Sequence, residues 1–198
     1  MRLNNLTEYL DKYLSFYTEG HAAAAHALAT HYGSLGAISA ANERELLLIS
    51  AVDHTVVHAL KLLAYIYGRS VKDSFNLPCR VNEGEICSLL RALYSGVACE
   101  RIYCLLFDKK DRLSAIELLG EGIANYSEIY PRKVLDVAKE SGAGSLIISH
   151  NHPHGTTDPS IADVNGTARI KSMLESAGIT FIGHYVVSDS GCKKIEGV

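Results

Sequence analysis

The chain has 198 residues, of which 47% are hydrophobic and 21% charged, with a formal net charge of -3. That composition suits a folded domain with a small appendage and excludes a disordered or low-complexity chain. There is no Lys/Arg run and no strongly basic half, so charge alone predicts no tight nonspecific nucleic-acid binding.

The first residues, MRLNNLTEYLDKYL, are amphipathic and do not read as a signal peptide. Apolar runs are too short for a membrane span; even HALKLLAYIYG carries a lysine. The expectation is a cytoplasmic protein with no membrane partner and an oligomeric state the sequence leaves open. Helices come first. NLTEYLDKYLSFY places Leu6, Leu10, Tyr13, Leu14 and Tyr17 on one face. GHAAAAHALATHYG is an alanine-rich helix with its stop at Gly33. Ser34 and Asn42 are predicted caps of two short helices, and Asp53 caps HTVVHALKLLAYIYG, with a stop at Gly68.

Residues 1–70 thus read as a helical unit and 71–78, VKDSFNLP, as a linker; 79–198 form the second domain. In that domain NEGEICSLLRALYSG is predicted as a helix capped by Asn82 and ended at Gly96. ERIYCLLFD and LSAIELLG form a hairpin across DKKDR, and YPRKVLDVAKESG is a helix with Pro131 in its first turn. SLIIS is a short buried strand. Asp158 and Pro159 open the helix SIADVNGTARIKSMLESAG, and ITFIGHYVVSD is the last strand. The fold class is therefore α/β (α+β), with helices around one mixed sheet. Cys79, Cys87, Cys99, Cys104 and Cys192 include no CxxC pair, so free, mostly buried thiols are expected rather than a disulfide framework.

The chemistry concentrates in SHNHPHGTTDPSIAD, residues 149–163. Residues two apart on a strand point the same way, so His150 and His152 at the end of SLIIS form a pair of metal ligands, with Asn151 pointing away. Asp163 in the first turn of the next helix supplies a carboxylate, the form that a helix N-terminus favours. Ser160 lies one turn earlier on the same face. Two histidines and one carboxylate leave a fourth position of a tetrahedral zinc open for water, the catalytic arrangement. Zinc makes that water more acidic, and a nearby carboxylate takes its proton. Spacing alone leaves that carboxylate open among Glu100, Glu117, Glu121 and Glu128.

His150-Asn151-His152-Pro153, six residues, then Ser160-x-x-Asp163 resembles the JAMM signature of the MPN/JAB zinc metallohydrolases. The stretches ERIYCLLFDKKDRL, IYPRKVLDVAKESGAGSLIISHNHPHG and GITFIGHYVVSDSG are similar to the RadC family within that group. The resemblance covers residues 79 to 198 well. It implies an MPN/JAB, cytidine-deaminase-like mixed sheet flanked by helices. It also implies Zn2+ held by His150, His152 and Asp163, a hydrogen bond from Ser160 to the substrate carbonyl or oxyanion, and Glu100 as the catalytic glutamate. His154 departs from the family's usual serine, and its roles as spare ligand, substrate contact or plain loop residue are open. Gly183-His184 replaces the usual Asp-His, leaving His184 either to orient a ligand or to end a strand.

His54 and His58 are four apart on a helix but lack a third ligand, and His21, His26 and His31 drift around theirs. The helical third resembles the region where RadC proteins carry a helix-hairpin-helix. Here ISAVDHTVV has no glycine and an aspartate, which opposes phosphate contact. The leading expectation is a zinc metallopeptidase acting on a peptide or isopeptide amide bond of a peptide or protein substrate. A DNA-repair-associated nucleic-acid-binding protein is the alternative, and a noncatalytic MPN scaffold the third reading.

Overall fold

A computed structural model describes residues 3–97, 99–122, 131–153, 155–188 and 191–197. Two compact units emerge: Met1–Ser70 with Ser95–Ala98, and Val71–Tyr94 with Cys99–Val198.

The first unit contains α1 (Leu3–Leu14), α2 (His21–Tyr32), α3 (Leu35–Ala40), α4 (Glu43–Leu47) and most of α5 (His54–Ser74). Leu6, Leu10 and Leu14 sit in its core with Leu28, Ile38, Leu46, Val57 and Leu60. Tyr13 is only half-buried and donates its hydroxyl to the Ala59 carbonyl at 2.6 Å, while Tyr17 lies past the end of α1 and is exposed. The caps follow the sequence. Ser34 accepts from the Ala37 amide, Asn42 and Glu45 form a capping box, Asp53 accepts from the Val56 amide at 2.9 Å, and left-handed Gly33 closes α2. One expectation fails: α5 does not stop at Gly68 but runs on to Ser74. A helical glycine costs only about 1 kcal/mol against alanine, and apolar contact outweighs it. Val71 and Phe75, beyond the glycine, pack against a buried cluster of the second unit, to which they belong.

In the second unit α6 (Glu83–Leu93) is capped by the Asn82/Glu85 box. The strands β1 (Arg101–Phe107), β2 (Leu113–Glu121), β3 (Ser145–Asn151), β4 (Thr180–Ser188) and β5 (Gly191–Lys194) form a sheet in the order β2-β1-β3-β4-β5. All pairings are antiparallel except β3 with β4. Helix α8 (Ile161–Ser176) makes the crossover between that parallel pair, and α7 (Pro131–Glu140) precedes β3. Alternation along each strand sorts side chains between two cores. Ile102, Cys104, Leu106, Leu146 and Ile148 pack with Val134 and Ala138 of α7 and Ile170 and Leu174 of α8. Leu105, Phe107, Ile147, Tyr185 and Val187 pack with Ile86, Leu89 and Leu90 of α6. β3 is buried along its whole length, as a central strand covered on both faces should be.

Two features depart from expectation. The chain adds β5 after ITFIGHYVVSD, as an edge strand too short and too polar to show a period. Cys87 of α6 and Cys192 of β5 form a disulfide, with Cα atoms 5.8 Å apart, so the expectation of five free thiols is wrong for this pair. The two are 105 residues apart, and only the packing of α6 against the sheet brings them together. Cys79, Cys99 and Cys104 are free.

Candidate metal centre

The site lies where β3 ends. Ile148 points to the α7/α8 face, so His150, two residues on, does too. His152 follows immediately after the strand, and its amide donates to the Val187 carbonyl at 2.8 Å, carrying the β3–β4 ladder one step further. The two imidazoles meet with Nε2 atoms 2.9 Å apart. Asp163, in the first turn of α8, brings Oδ1 to 3.6 Å from His150 Nε2 and Oδ2 to 3.7 Å from His152 Nε2. These three residues form a group able to hold a metal ion.

Proton counting shows which atoms face the centre. Thr167 has one hydroxyl proton, and it goes to the Asp163 carbonyl at 2.6 Å. The same oxygen lies 2.6 Å from His184 Nδ1, so it accepts there, and His184 carries its proton on Nδ1. His184 is fully buried, and burial pushes its pKa down to about 4, so it is neutral and its Nε2 is a bare acceptor. That Nε2 lies 2.8 Å from His150 Nδ1, which therefore donates. Burial also holds the His150 pKa well below that of a free imidazole, with the neighbouring His184 acting in the same direction. A neutral His150 with a proton on Nδ1 has an unprotonated Nε2, which faces His152 Nε2 and Asp163 Oδ1. For His152 the Thr156 carbonyl, 2.9 Å from Nδ1, can only accept, so again the proton is on Nδ1.

The carboxylate is arranged in the same sense. Ser160 caps α8, accepting from the Asp163 amide at 3.1 Å, and both its amide and its hydroxyl donate to Asp163 Oδ2 at 2.7 Å. Among the described residues, Oδ1 is buried without a hydrogen-bond partner. Burial alone would raise the Asp163 pKa. The His152 and Ser160 contacts outweigh it and hold the carboxyl well below the usual range. Two imidazole lone pairs and an orphaned carboxylate oxygen thus converge on one point. Such a cluster fits a cation. A proton on His152 Nε2 is the alternative occupant, and the adjacent Asp163 raises the His152 pKa accordingly.

The paired β1–β3 register ends with Ile102 opposite His150, and Glu100, two residues before Ile102, lies close enough to the centre to feel the charges of His152 and Asp163. Glu100 is half-buried. Its pKa is raised, first by burial and also by the Asp163 charge, while His152 acts the other way. The rival glutamates lie elsewhere: Glu117 is exposed on edge strand β2, and Glu121 is exposed and paired with Arg101 at 2.8 Å. Glu128 and His154 lie outside the described residues. His54 and His58 stay on α5 with ring centres 6.5 Å apart, and no third ligand joins them among the described residues. Thr167 is the residue that sequence reasoning missed. Its position four after Asp163, on the same helical face, was the available signal.

A family model described as a RadC-like JAB domain matches residues 81–195, which include every residue of this centre. The chain belongs to the RadC-like JAB domain family. A UPF0758 protein of Idiomarina loihiensis is 31% identical over 169 residues, covering 82% of this chain and 73% of the relative. A UPF0758 protein of Cupriavidus necator is 28% identical over 165 residues, covering 83% and 72%. A UPF0758 protein of Finegoldia magna shares a shorter, more similar stretch, 40% identical over 91 residues and covering 46% and 41%. The RadC-like match begins at residue 81, within the second unit.

Proposed function

We propose that this RadC-like protein is a zinc-dependent hydrolase of peptide or isopeptide amide bonds. The observation that carries the reading is the convergence on one point of two unprotonated Nε2 atoms and Asp163 Oδ1, which has no hydrogen-bond partner among the described residues. His150, His152 and Asp163 would hold the ion. Zinc has the right ligand preference, and with three protein ligands it supplies Lewis acidity and a more acidic coordinated water. Glu100 accepts a proton as water oxygen bonds to the carbonyl carbon, then delivers it to the amide nitrogen as the C–N bond breaks. A carboxylate raised by partial burial suits both halves of that transfer. The Ser160 hydroxyl can turn from Asp163 Oδ2 to a substrate oxygen, because the Ser160 amide continues to hold Oδ2. Amide substrates follow from the family resemblance rather than from these residues.

The nucleic-acid alternative finds less support. In the α4–α5 hairpin the Asp53 carboxylate occupies the first turn of α5, where a backbone-bound phosphate would need free amides. The scaffold reading is opposed by a complete ligand set.

The test is zinc content of the purified chain beside His152→Ala and Asp163→Ala. About one zinc per chain, lost in both variants, is the expected result. A peptide library then serves as substrate, and Glu100→Ala should lower turnover by about 100-fold or more while zinc is retained. No zinc in the wild type after zinc is supplied would overturn the reading.

A further inference from the structure

Asn151 stands between the two histidines of the metal centre, and its side chain turns to the opposite face of the sheet. It is only 4% exposed, and both ends of its amide are used. Oδ1 accepts from the Arg101 amide at 2.7 Å, and Nδ2 donates to the Cys99 carbonyl at 3.0 Å. Those two groups flank Glu100 in the chain.

The reason for this arrangement lies in the strand register. The paired residues of β1 and β3 end with Ile102 opposite His150. The next step would set Arg101 opposite Asn151, and there the Asn151 side chain accepts the hydrogen bond from the Arg101 amide. The side chain then reaches past Glu100 to Cys99. On the other side the Gly122 amide donates to the Glu100 carbonyl at 2.8 Å. The backbone carrying Glu100 lies outside β1, yet three hydrogen bonds fix it. Two of them come from a residue whose chain neighbours on both sides are the imidazole ligands.

We propose that Asn151 is the positioning residue that sets Glu100 against the metal centre. It ties the proton acceptor to the ligand-bearing strand by one side chain, so the carboxylate and the ligands keep a common frame. A carboxylate that must reach a water at the centre loses effect when its placement loosens by a fraction of an ångström. The inference rests on the proposed role of Glu100.

The experiment compares the full chain with Asn151→Ala and Asn151→Asp by backbone amide exchange in NMR, zinc content, and peptide turnover. In Asn151→Ala the Arg101 amide should exchange about 10-fold faster or more, as expected for one lost hydrogen bond, with Leu105 and Ile147 unchanged. Asn151→Asp keeps the acceptor, so Arg101 should stay slow; it loses the donor to Cys99. Zinc content should equal that of the wild type in both. Turnover by Asn151→Ala should fall in kcat with KM unchanged, and adding the substitution to Glu100→Ala should cost nothing further. Unchanged Arg101 exchange, or faster exchange throughout β1 and β3, would overturn the proposal, the second because Asn151 would then support the sheet as a whole. A wild type that binds no zinc sinks the hydrolase reading instead, and the Arg101 exchange still decides whether Asn151 holds the Glu100 segment.

Discussion

A single hydroxyl proton decides the chemistry of the centre. Thr167 gives it to the Asp163 carbonyl, His184 must then donate to Thr167, and His150 must donate to His184. The chain starts at the helix that carries Asp163 and ends at His150, fixing His150 in the tautomer with Nε2 toward His152 and Asp163. Groups that orient a metal-bound imidazole in this way are worth about 10- to 100-fold in metal affinity. Thr167→Val and His184→Leu should therefore each weaken zinc binding by about that factor in a chelator competition, and the two together should do little more than one. His184→Gln, which can place an amide oxygen near the former Nε2, should recover part of the loss. Equal affinities in all variants would show the relay to be passive. Acid exposes the same group. His184 titrates near 4 when folded and at 6.5 when unfolded. Between these values the unfolded chain binds a proton that the folded chain refuses, so stability falls as pH drops through that window, by up to about 3 kcal/mol. Denaturant unfolding of metal-free protein at pH 7 and pH 4.5 measures this, and His184→Gln should narrow the difference between the two.

At the scale of elements, the α8 N-terminus serves two purposes with one capping box. Ser160 and Asp163 satisfy the helix end, and the same bonds turn Asp163 Oδ1 toward the histidines. Ser160→Ala should therefore cost about 1 kcal/mol of stability, as a lost cap does, and should also weaken zinc binding. A loss of turnover with stability and zinc affinity intact would assign the hydroxyl to substrate alone. The Cys87–Cys192 bond works on a different part of the sheet. It joins α6 to the edge strand β5 across 105 residues. Reduction, or Cys87→Ser with Cys192→Ser, should lower stability by about 2–4 kcal/mol in denaturant unfolding. How far these features could be read from the sequence depends on how local their causes are. The caps at Asn42, Asp53 and Asn82 were legible because each joins residues three apart, whereas the helix expected to open at Asp158 and Pro159 starts at Ile161 with Ser160 as its cap. The pair His150 and His152 was legible from the period of a strand, and Asp163 from its place in a helix start. The disulfide, the Thr167–His184 contact and the grip of Asn151 on Cys99 and Arg101 join residues 105, 17, 52 and 50 apart. No local period encodes those. The run of α5 past Gly68 was misread for a related reason, since the apolar contacts of Val71 and Phe75 are tertiary.

On the scale of the whole molecule, the question is whether the candidate metal centre needs the helical unit. The second unit owns two cores, one under α7 and α8 and one under α6, and both consist of its own residues. Every residue of the candidate centre, with Thr167, His184 and Asn151, belongs to it as well. The first unit has a separate core built on Leu6, Leu10, Leu28 and Val57. Its share of the later chain is the short segment Ser95–Ala98, in which Val97 is buried. A chain of residues 71–198 is of ordinary size for an independent domain. It should fold with a cooperative unfolding transition and bind zinc within about threefold of the full chain, since contacts that orient the ligands lie inside it. The cost of removing the first unit should fall on Ser95–Ala98, which leads directly to Cys99 and Glu100. Turnover is therefore expected to suffer more than zinc affinity, and amide exchange at Arg101 reports whether the Asn151 grip survives the loss. If zinc affinity itself fell by about 100-fold or more, the effect of orienting contacts, the helical unit would be part of the metal centre's support and the two-domain reading would fail.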